Sequence, residues 1–599
     1  MTQQYLITIA VGPVQEFIAS ARKLRDLWYG SYLLSELSKA VARTLENEGC
    51  TLIFPTPKKK TDLEKDSAMN VANKILALTL EGSDPQAIIE NCEDAFKKQW
   101  KKFCDDAWKR AGTAVDKVLF DKQVEDFGEF FAAWTPYTPE NYRTSLARCE
   151  QLLAGRKNLR EFDEPAWNGS GKPKSSLDGI RESVITGKLS TNRAFQIKQG
   201  EQLDALGIVK RFGPWNHPDR PHFDNLAEVA ALPYIHGLKI AVTKDQNGIK
   251  QKLQEFPSID DLYPAKESRP PATSADWDQW PDDLPIDLLH PSVLEAELKR
   301  VDQEPEKEAF DQEPEKEAWK EIAHVLKKLW KQTIEPQPYL CLLVGDGDDM
   351  GKTLNDLAGK SEHQQFSSNL DDFAREVHNT VAIHCGKVVY SGGDDVMAYV
   401  PLHTALACCQ EINTLFRKTM QKACAGTQVA HPTFSLGMAI VHFHMPMDRA
   451  LVLARQAERL AKESGKNRLA IIQSKRSGSD LAITGGWDAI NSYPSLPDRL
   501  YAFVQAYNQQ QLSSRLAYQL RSIVNDCGDN LQWNNQGTTP LPASPATAEA
   551  LRLICRKDIK RDDALLLLSG QESIRHLSDE LVIAHQFSRA RSISQANWL

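Results

Sequence analysis

The sequence lacks the features that mark secreted and membrane-spanning proteins. Its 599 residues include 11 cysteines, but none of them forms a C-x-x-C pair, so reduced thiols are favoured over a disulfide framework. No apolar run approaches the roughly 20 residues needed to cross a bilayer. The N-terminus also lacks a basic segment followed by an apolar one, which would indicate a secretion signal. We therefore expect a cytoplasmic protein without a membrane partner.

An excess of positive charge is also missing. The 72 Lys and Arg residues face 80 Asp and Glu residues, which gives a net charge of −8. This balance argues against a surface that binds nucleic acid everywhere, although local basic patches remain compatible with it. With 41% hydrophobic and 25% charged residues, the composition is that of an ordinary globular protein. At this length we expect three to five domains rather than one core.

One acidic turn lies between two β-rich runs in the stretch 388–400. Because glycine tolerates the positive φ of tight turns, this stretch predicts a β-hairpin. The residues at its tip are Ser391, Gly392, Gly393, Asp394 and Asp395. Beyond turn chemistry, a hairpin tip has little need for two adjacent carboxylates. Taken alone, the motif is compatible with a polar turn or with a functional site.

A third carboxylate comes from the preceding strand. Residues 338–344 form a continuous apolar run, typical of a buried strand, and Asp346 follows at its end. A helical pattern at about 363–384 leads to the hairpin, so this order brings Asp346 beside the tip. Like charges about 4 Å apart repel by roughly 4 kcal/mol at an effective dielectric near 20, which favours a bound cation. Oxygen ligands select a hard ion, so we predict Mg²⁺ or Mn²⁺ held by Asp346, Asp394 and Asp395.

Several stretches resemble known families. The strand with its aspartate, the helix and the Gly-Gly-Asp-Asp hairpin resemble the palm of nucleotide polymerases and cyclases. Residues 461–468, AKESGKNR, are similar to the AKxxGRNR signature of GGDEF-type cyclases. Residues 11–34 are similar to the opening palm of the large subunit of type III-B (Cmr-type) CRISPR effector complexes. Residues 174–183 and 475–478 also resemble this family, so the resemblance runs through nearly the whole chain.

The resemblance implies an α+β multidomain fold with two ferredoxin-like palm domains and two mainly helical domains. The expected divisions are a non-catalytic first palm at 1–135, a helical middle domain at 136–337, a second palm with the Gly-Gly-Asp-Asp motif at 338–480, and a helical C-terminal domain at 481–599. A Pro-, Asp- and Glu-rich composition predicts a long loop at about 244–320. The sequence DQEPEKEA occurs there twice, as expected of a tandem duplication in a surface segment.

The resemblance also implies a function. The chain would bind ATP and make cyclic oligoadenylates when its complex holds target RNA. A 3′-hydroxyl of one ATP would attack the α-phosphorus of another, with Asp346, Asp394 and Asp395 as catalytic, metal-holding residues. Candidate nucleotide contacts are Ser391, Gly392, Gly393, Gly347, Lys462 and Lys466. The two lysines are equally compatible with a solvated helix end.

The implied partners are other Cmr-type CRISPR subunits and, through the complex, guide RNA and target RNA. A small helical subunit would contact the C-terminal domain. Relatives commonly carry a cysteine-rich zinc knuckle near 149–156, but Cys149 alone cannot hold a tetrahedral Zn²⁺, so we expect no zinc and a buried Cys149. Many relatives also have a nuclease domain with a His-Asp pair. None of the 14 histidines here precedes an aspartate, so we expect no nuclease activity of that type.

Two other functions stay open at this point. One is a free-standing GGDEF-like cyclase that uses GTP, and the chain length, the second palm and the C-terminal domain argue against it. The other is a structural scaffold subunit with little catalysis, against which the three acids argue. A P-loop is excluded at 351–353, because Asp346 stands where the Walker A motif requires glycine.

Overall fold

A computed structural model describes the chain apart from residues 1–2, 126, 160–170, 188–196, 198–199, 214–224, 257–285, 304–308, 477, 490–493, 535–540, 556–558, 569–572 and 599. The predicted α+β fold with two palm sheets and many helices is confirmed. Among the described residues, no helix is long and apolar enough to cross a membrane.

The first palm is a four-stranded antiparallel sheet with the strand order β2-β3-β1-β4. Its elements are β1 (Gln4–Gly12), α1 (Gln15–Ala19), α2 (Leu24–Asn47), β2 (Thr51–Phe54), β3 (Lys74–Leu78), α3 (Pro85–Ala111), α4 (Lys117–Glu125), β4 (Glu129–Tyr137) and α5 (Tyr142–Asn158). The central strand β1 is apolar and buried from residue 6 to residue 12, as expected of a strand covered on both faces. The β-α-β-β-α-β order and this strand order are those of a ferredoxin-like fold.

Strand β4 is absent from the sequence-based expectation and crosses the expected domain boundary at residue 135. Its Pro136 weakens the strand pattern, but proline is tolerated on an edge strand, and β4 is an edge of this sheet. Helix α5, which the prediction placed in the middle domain, packs on β4 and β1. The boundary at 135 therefore cuts through the first palm's sheet.

The middle region is helical where it is described. Its helices are α6 (Ala205–Phe212), α7 (Leu226–Thr243), α8 (Ile249–Gln254), α9 (Pro291–Gln303) and α10 (Ala309–Gln332). The prediction of a loop at about 244–320 is wrong over α8, α9 and the start of α10. Glu, Lys, Leu and Ala are strong helix formers, and over these stretches they outweigh the scattered prolines. The remainder of that loop, 257–285 and 304–308, lies outside the described residues.

The second palm is a six-stranded sheet with the order β10-β9-β8-β5-β7-β6. Its elements are β5 (Tyr339–Gly347), α11 (Met350–Asp356), α12 (Lys360–Ile383), β6 (Lys387–Gly392), β7 (Asp395–Pro401), α13 (Ala405–Ala423), β8 (Phe434–His442), α14 (Met447–Glu463), β9 (Arg468–Gln473) and β10 (Leu481–Gly486). The order β8-β5-β7-β6 repeats that of the first palm. Strands β8 and β9 are parallel, so α14 forms the required crossover between them.

The expected end of the second palm at residue 480 is wrong. Strand β10 pairs antiparallel with β9 from Leu481 to Gly486, so the sheet continues past that boundary. The stretch 474–480 connects these two strands rather than two domains. The physical reason is the short connection, which favours antiparallel pairing of neighbouring strands.

The C-terminal region is helical, as predicted. It consists of α15 (Leu496–Asn508), α16 (Leu516–Cys527), β11 (Trp533–Asn534), β12 (Leu541–Pro542), α17 (Pro545–Ile554), α18 (Arg561–Leu568) and α19 (Ile574–Ser594). Its apolar residues join those of the second palm in one continuous core, and α19 also packs on α7. This region is therefore packed firmly against the palm.

The two faces of the second palm's sheet have different coverings. In β5, Cys341 and Leu343 face the core formed with α12 and α13, whereas Leu340 and Leu342 face a core shared with α14 and the first palm. Side chains alternate along a strand, so Asp346 follows Leu340 and Leu342 onto the shared face. The end of β5 thus presents its carboxylate towards the junction of the two palms.

Candidate functional site

The predicted hairpin is formed by β6 and β7. The last pair in its ladder is Gly392 with Asp395, so Gly393 and Asp394 make the two-residue turn. Gly393 has φ of 65°, a conformation that glycine adopts without steric cost. Ser391 and Gly392 are buried, whereas Gly393 is half-buried.

The structure brings the three predicted acids together at this hairpin. The carboxyl of Asp346, at the end of β5, lies within hydrogen-bonding reach of both Asp394 and Asp395. Burial and the charge of Asp346 raise the pKa of Asp394 to about 7. Burial, Asp394 and Asp346 raise the pKa of Asp395 well above its usual range. Asp395 is an exposed residue, so we attribute its raised pKa mainly to the two neighbouring carboxylates.

Glycine is required at position 347 beside these acids. A Cβ atom there would come within 2.8 Å of the Asp394 carboxylate and 2.7 Å of the Met350 side chain. Gly347 therefore lets the acidic hairpin approach the end of β5. This close approach was not deduced from the sequence, which placed Gly347 only among the nucleotide contacts.

Both predicted lysines reach the acidic loop, defined here as residues 346–349 at the end of β5. Lys462, near the end of α14, contacts the Asp346 carboxylate, and its Nζ lies 2.8 Å from Glu458. Lys466 Nζ lies 2.6 Å from Asp349. Burial lowers the pKa of Lys462, but the hydrogen bonds and charges of Asp346 and Glu458 raise it more, so the net shift is upward. Both lysines thus lie beside the acids at the end of β5.

Asp348 is a structural anchor that the sequence did not reveal. It is 2% exposed and accepts hydrogen bonds from Ser435 Oγ and Thr433 Oγ1, each at 2.7 Å. It also accepts the backbone N–H of Asn467 at 2.9 Å. These bonds tie the turn that carries Lys466 to the ends of β5 and β8. The acidic loop therefore contains an anchoring carboxylate as well as candidate ligands.

The first palm closes one side of the hairpin. Asn70, in the connection between β2 and β3, donates from Nδ2 to the Ser391 carbonyl at 2.9 Å. Farther along the junction, Gln364 Nε2 donates to the Leu52 carbonyl at 2.8 Å. The Thr56 N–H also donates to Ser367 Oγ at 3.0 Å. The acids consequently lie beside the junction of the palms.

The donor set fits a hard divalent cation by its chemistry, since it consists of crowded carboxylates with raised pKa values. Across the described ranges, however, no three His, Cys, Asp or Glu residues already converge in an arrangement that could hold a metal ion. Lys462 contacts Asp346 instead. Cation binding would therefore require Lys462 to change its partner.

Cys149 is buried, as predicted, but it lies in α5 against the sheet of the first palm and not in the middle domain where the prediction placed it. It is 0% exposed, and its Sγ donates to the carbonyls of Leu6 and Ala133, each at 3.4 Å. Burial raises the pKa of this thiol to about 12, which disfavours the thiolate that binds zinc. Cys149 behaves as a small packed residue.

Comparisons with known proteins agree with the palm assignment. Residues 339–470 match the family described as "Cas10/Cmr2, second palm domain". Residues 6–105 match "CRISPR-associated protein Cmr2, N-terminal". The resemblance inferred from the sequence is thereby confirmed.

A curated relative and two solved structures extend the similarity. The "CRISPR system Cmr subunit Cmr2" of Pyrococcus furiosus is 25% identical over 594 residues, with 82% of this chain and 63% of that protein covered. The chain thus spans under two thirds of that relative's length. A chain of the apo Type III-B Cmr-beta cryo-EM structure matches with a TM-score of 0.63 and 13% identity, covering 97% of this chain and 82% of that one. A chain of the same complex bound to cognate target RNA matches with a TM-score of 0.63 and 13% identity, covering 98% of this chain and 83% of that one. These likenesses show the fold.

Proposed function

We propose that this chain, which has domains of the Cmr2 and Cas10/Cmr2 families, is the large subunit of a type III-B CRISPR effector complex and joins ATP into cyclic oligoadenylates when target RNA is bound. The observation that carries the proposal is the grouping of Asp346, Asp394 and Asp395 beside the palm junction. A merely solvated turn would not gather three carboxylates at such an electrostatic cost.

In the proposed reaction the 3′-hydroxyl oxygen of one adenylate forms a bond to the α-phosphorus of ATP. The bond from that phosphorus to the α,β-bridging oxygen breaks, the hydroxyl proton passes to solvent, and pyrophosphate leaves. A Mg²⁺ or Mn²⁺ ion held by Asp346, Asp394 and Asp395 would supply activation of the hydroxyl and neutralisation of the developing charge. Without a cation these crowded acids would repel the phosphates.

The chain's own residues position the incoming triphosphate. Lys462 and Lys466 now pair with acidic side chains, and each can exchange that partner for a phosphate oxygen. Asp348 holds the turn that carries Lys466, so this lysine stays beside the end of β5. Of the other predicted contacts, Gly393 is half-buried in the turn, whereas Ser391 and Gly392 are buried.

The proposed partners are the other Cmr-type subunits, a small helical subunit, guide RNA and target RNA. Two findings support them: the curated relative bears the name of a Cmr subunit, and a chain of similar fold belongs to a complex bound to cognate target RNA. We propose that the first palm is non-catalytic, because its β2–β3 connection has no Gly-Gly-Asp-Asp motif. In this proposal it lines the nucleotide site from across the junction.

The experiment that tests this function supplies the assembled complex with each labelled nucleotide and Mg²⁺ or Mn²⁺, with and without target RNA. Cyclic product should form from ATP and should require target RNA. Product made from GTP by the isolated chain would instead favour the free-standing cyclase. No product from any nucleotide would favour a scaffold subunit.

A further inference from the structure

Helix α14 carries a row of cations that extends beyond the predicted lysines. Arg455, Arg459 and Lys462 are spaced by four and three residues, so they share one face of the helix. The opposite face is buried and consists of small residues, including Ala450, Ala454, Ala457 and Ala461. The row therefore lies on the side of α14 that is open to a ligand.

Both ends of this row lie near the acids. Lys462 contacts Asp346, whereas the charge of Asp395 acts on Arg455. At a rise of 1.5 Å per residue, the seven residues from Arg455 to Lys462 correspond to about 10 Å along the helix axis. The carboxylates thus lie beside cations that extend over about two turns of α14.

The arginines differ from the lysines in their partners. Lys462 and Lys466 are each paired with a carboxylate. Within the described part of the chain, neither Arg455 nor Arg459 makes a side-chain hydrogen bond or an ion pair. Arg455 is half-buried, and burial lowers the pKa of its guanidinium despite Asp395 and Glu458. A partly dehydrated guanidinium without an acceptor is costly, and phosphate is an oxyanion that satisfies its fork of donors.

A reaction that joins two nucleotides needs phosphate contacts on both sides of the reacting atoms. The lysines reach the acidic loop after β5, which suits the triphosphate of the incoming ATP. The arginines lie about one and two turns before Lys462 on the same face of α14, which suits phosphates farther from that triphosphate. We propose that Arg455 and Arg459 form a second anion-binding site that holds the phosphates of the acceptor oligoadenylate. This inference rests on the proposed function of the same site.

The test measures binding of two labelled probes to the assembled complex, a 5′-phosphorylated diadenylate and its unphosphorylated counterpart. Replacing both arginines by glutamine keeps much of the packing of the side-chain stems. This double change should weaken binding of the phosphorylated probe by roughly tenfold or more. Binding of the unphosphorylated probe and of a non-hydrolysable ATP analogue should change less than about twofold. Arg449→Gln, exposed on the same helix and farther from the acids, is the matched control and should leave all three unchanged.

Two readouts distinguish phosphate binding by the two arginines from a merely structural role of these residues. They also distinguish a failure of this proposal from a failure of the proposed function. In synthesis assays, R455Q/R459Q should raise the KM for the phosphorylated diadenylate while kcat and the KM for ATP stay near wild type. Thermal melts of each variant report folding. The proposal would be overturned if the double variant lost as much affinity for the ATP analogue as for the phosphorylated probe. Unchanged binding of the phosphorylated probe by a folded double variant would also overturn it. If the wild-type complex makes no product, the proposed function fails, whereas the binding comparison still decides whether an anion site exists.

Discussion

Asp394→Asn should stabilise the cation-free protein, and it should do so only above mildly acidic pH. The pKa of Asp394 is about 7 in the folded chain, whereas an unfolded aspartate titrates near 3.9. The folded state therefore binds more protons between these values. The stability that the neutral carboxyl retains is fully present below about pH 4, where both states are protonated, and is lost as the pH rises through about 7. Asparagine removes this dependence of stability on pH, because its side-chain amide is uncharged throughout this pH range.

The size of the effect follows from the shift in pKa. The difference between a pKa of about 7 and one near 3.9 corresponds to an upper limit of about 4 kcal/mol. Asp394 is half-buried and shares its charge with Asp346 and Lys462, so we expect about 1–2 kcal/mol at pH 8. For a domain the size of the second palm, this is a rise of roughly 2–6 °C in its melting temperature.

The assay is a thermal melt of wild type and Asp394→Asn in chelator at pH 5 and pH 8, followed by the same melts in Mg²⁺. The difference should be clear at pH 8, small at pH 5, and reduced by Mg²⁺, which binds the wild-type acids. Asp349→Asn is the control. The Lys466 hydrogen bond lowers the pKa of Asp349, so the change in stability at pH 8 should have the opposite sign to that of Asp394→Asn. If Asp394→Asn is no more stable at pH 8, or its advantage is the same at both pH values, the reasoning fails.

Three further predictions concern other parts of the molecule. Asp348→Ala should lower the free energy of unfolding of the second palm by roughly 2–4 kcal/mol, because one buried donor, Ser435, and two half-buried donors, Thr433 and Asn467, lose their acceptor; denaturant unfolding measures this, and a loss under 1 kcal/mol would contradict the anchoring role. Elemental analysis should find well under one zinc per chain, and a stoichiometric signal that resists mild chelation would contradict the role of Cys149. Tyr518 is 59% exposed in the C-terminal region, so Tyr518→Ser should weaken capture of the small helical subunit without lowering the melting temperature; unchanged capture would argue against docking there.

Much of the candidate site could be predicted because it depends on local order. The apolar run of β5, its terminal Asp346 and the glycine turn before Asp394 are consecutive features whose geometry follows from strand alternation and turn chemistry. The order of strand, helix and hairpin then brings the acids together. The same kind of local signal predicted the helix at about 363–384, which the structure shows as α12.

Features that depend on distant contacts could not be predicted. Asp348 became recognisable as an anchor only from hydrogen bonds to Ser435 and Asn467, which are 87 and 119 residues away. The role proposed for Arg455 likewise depends on where α14 crosses the sheet. Strand β4 has only a weak sequence pattern because edge strands tolerate proline. The acidic composition around residues 291–303 predicts a loop, whereas the helix propensity of the same residues favours the observed α9.

The central claim is tested most directly by product formation in the assembled complex with target RNA, Mg²⁺ and labelled ATP. Asp394→Asn and Asp395→Asn should each lower oligoadenylate synthesis by at least roughly 10–100-fold, the loss typical of an altered metal site. Asp349→Asn should cost less than Asp346→Asn, and assembly with guide RNA should be retained in every variant. Near-normal synthesis by both hairpin variants would contradict the assignment of the second palm as the catalytic centre.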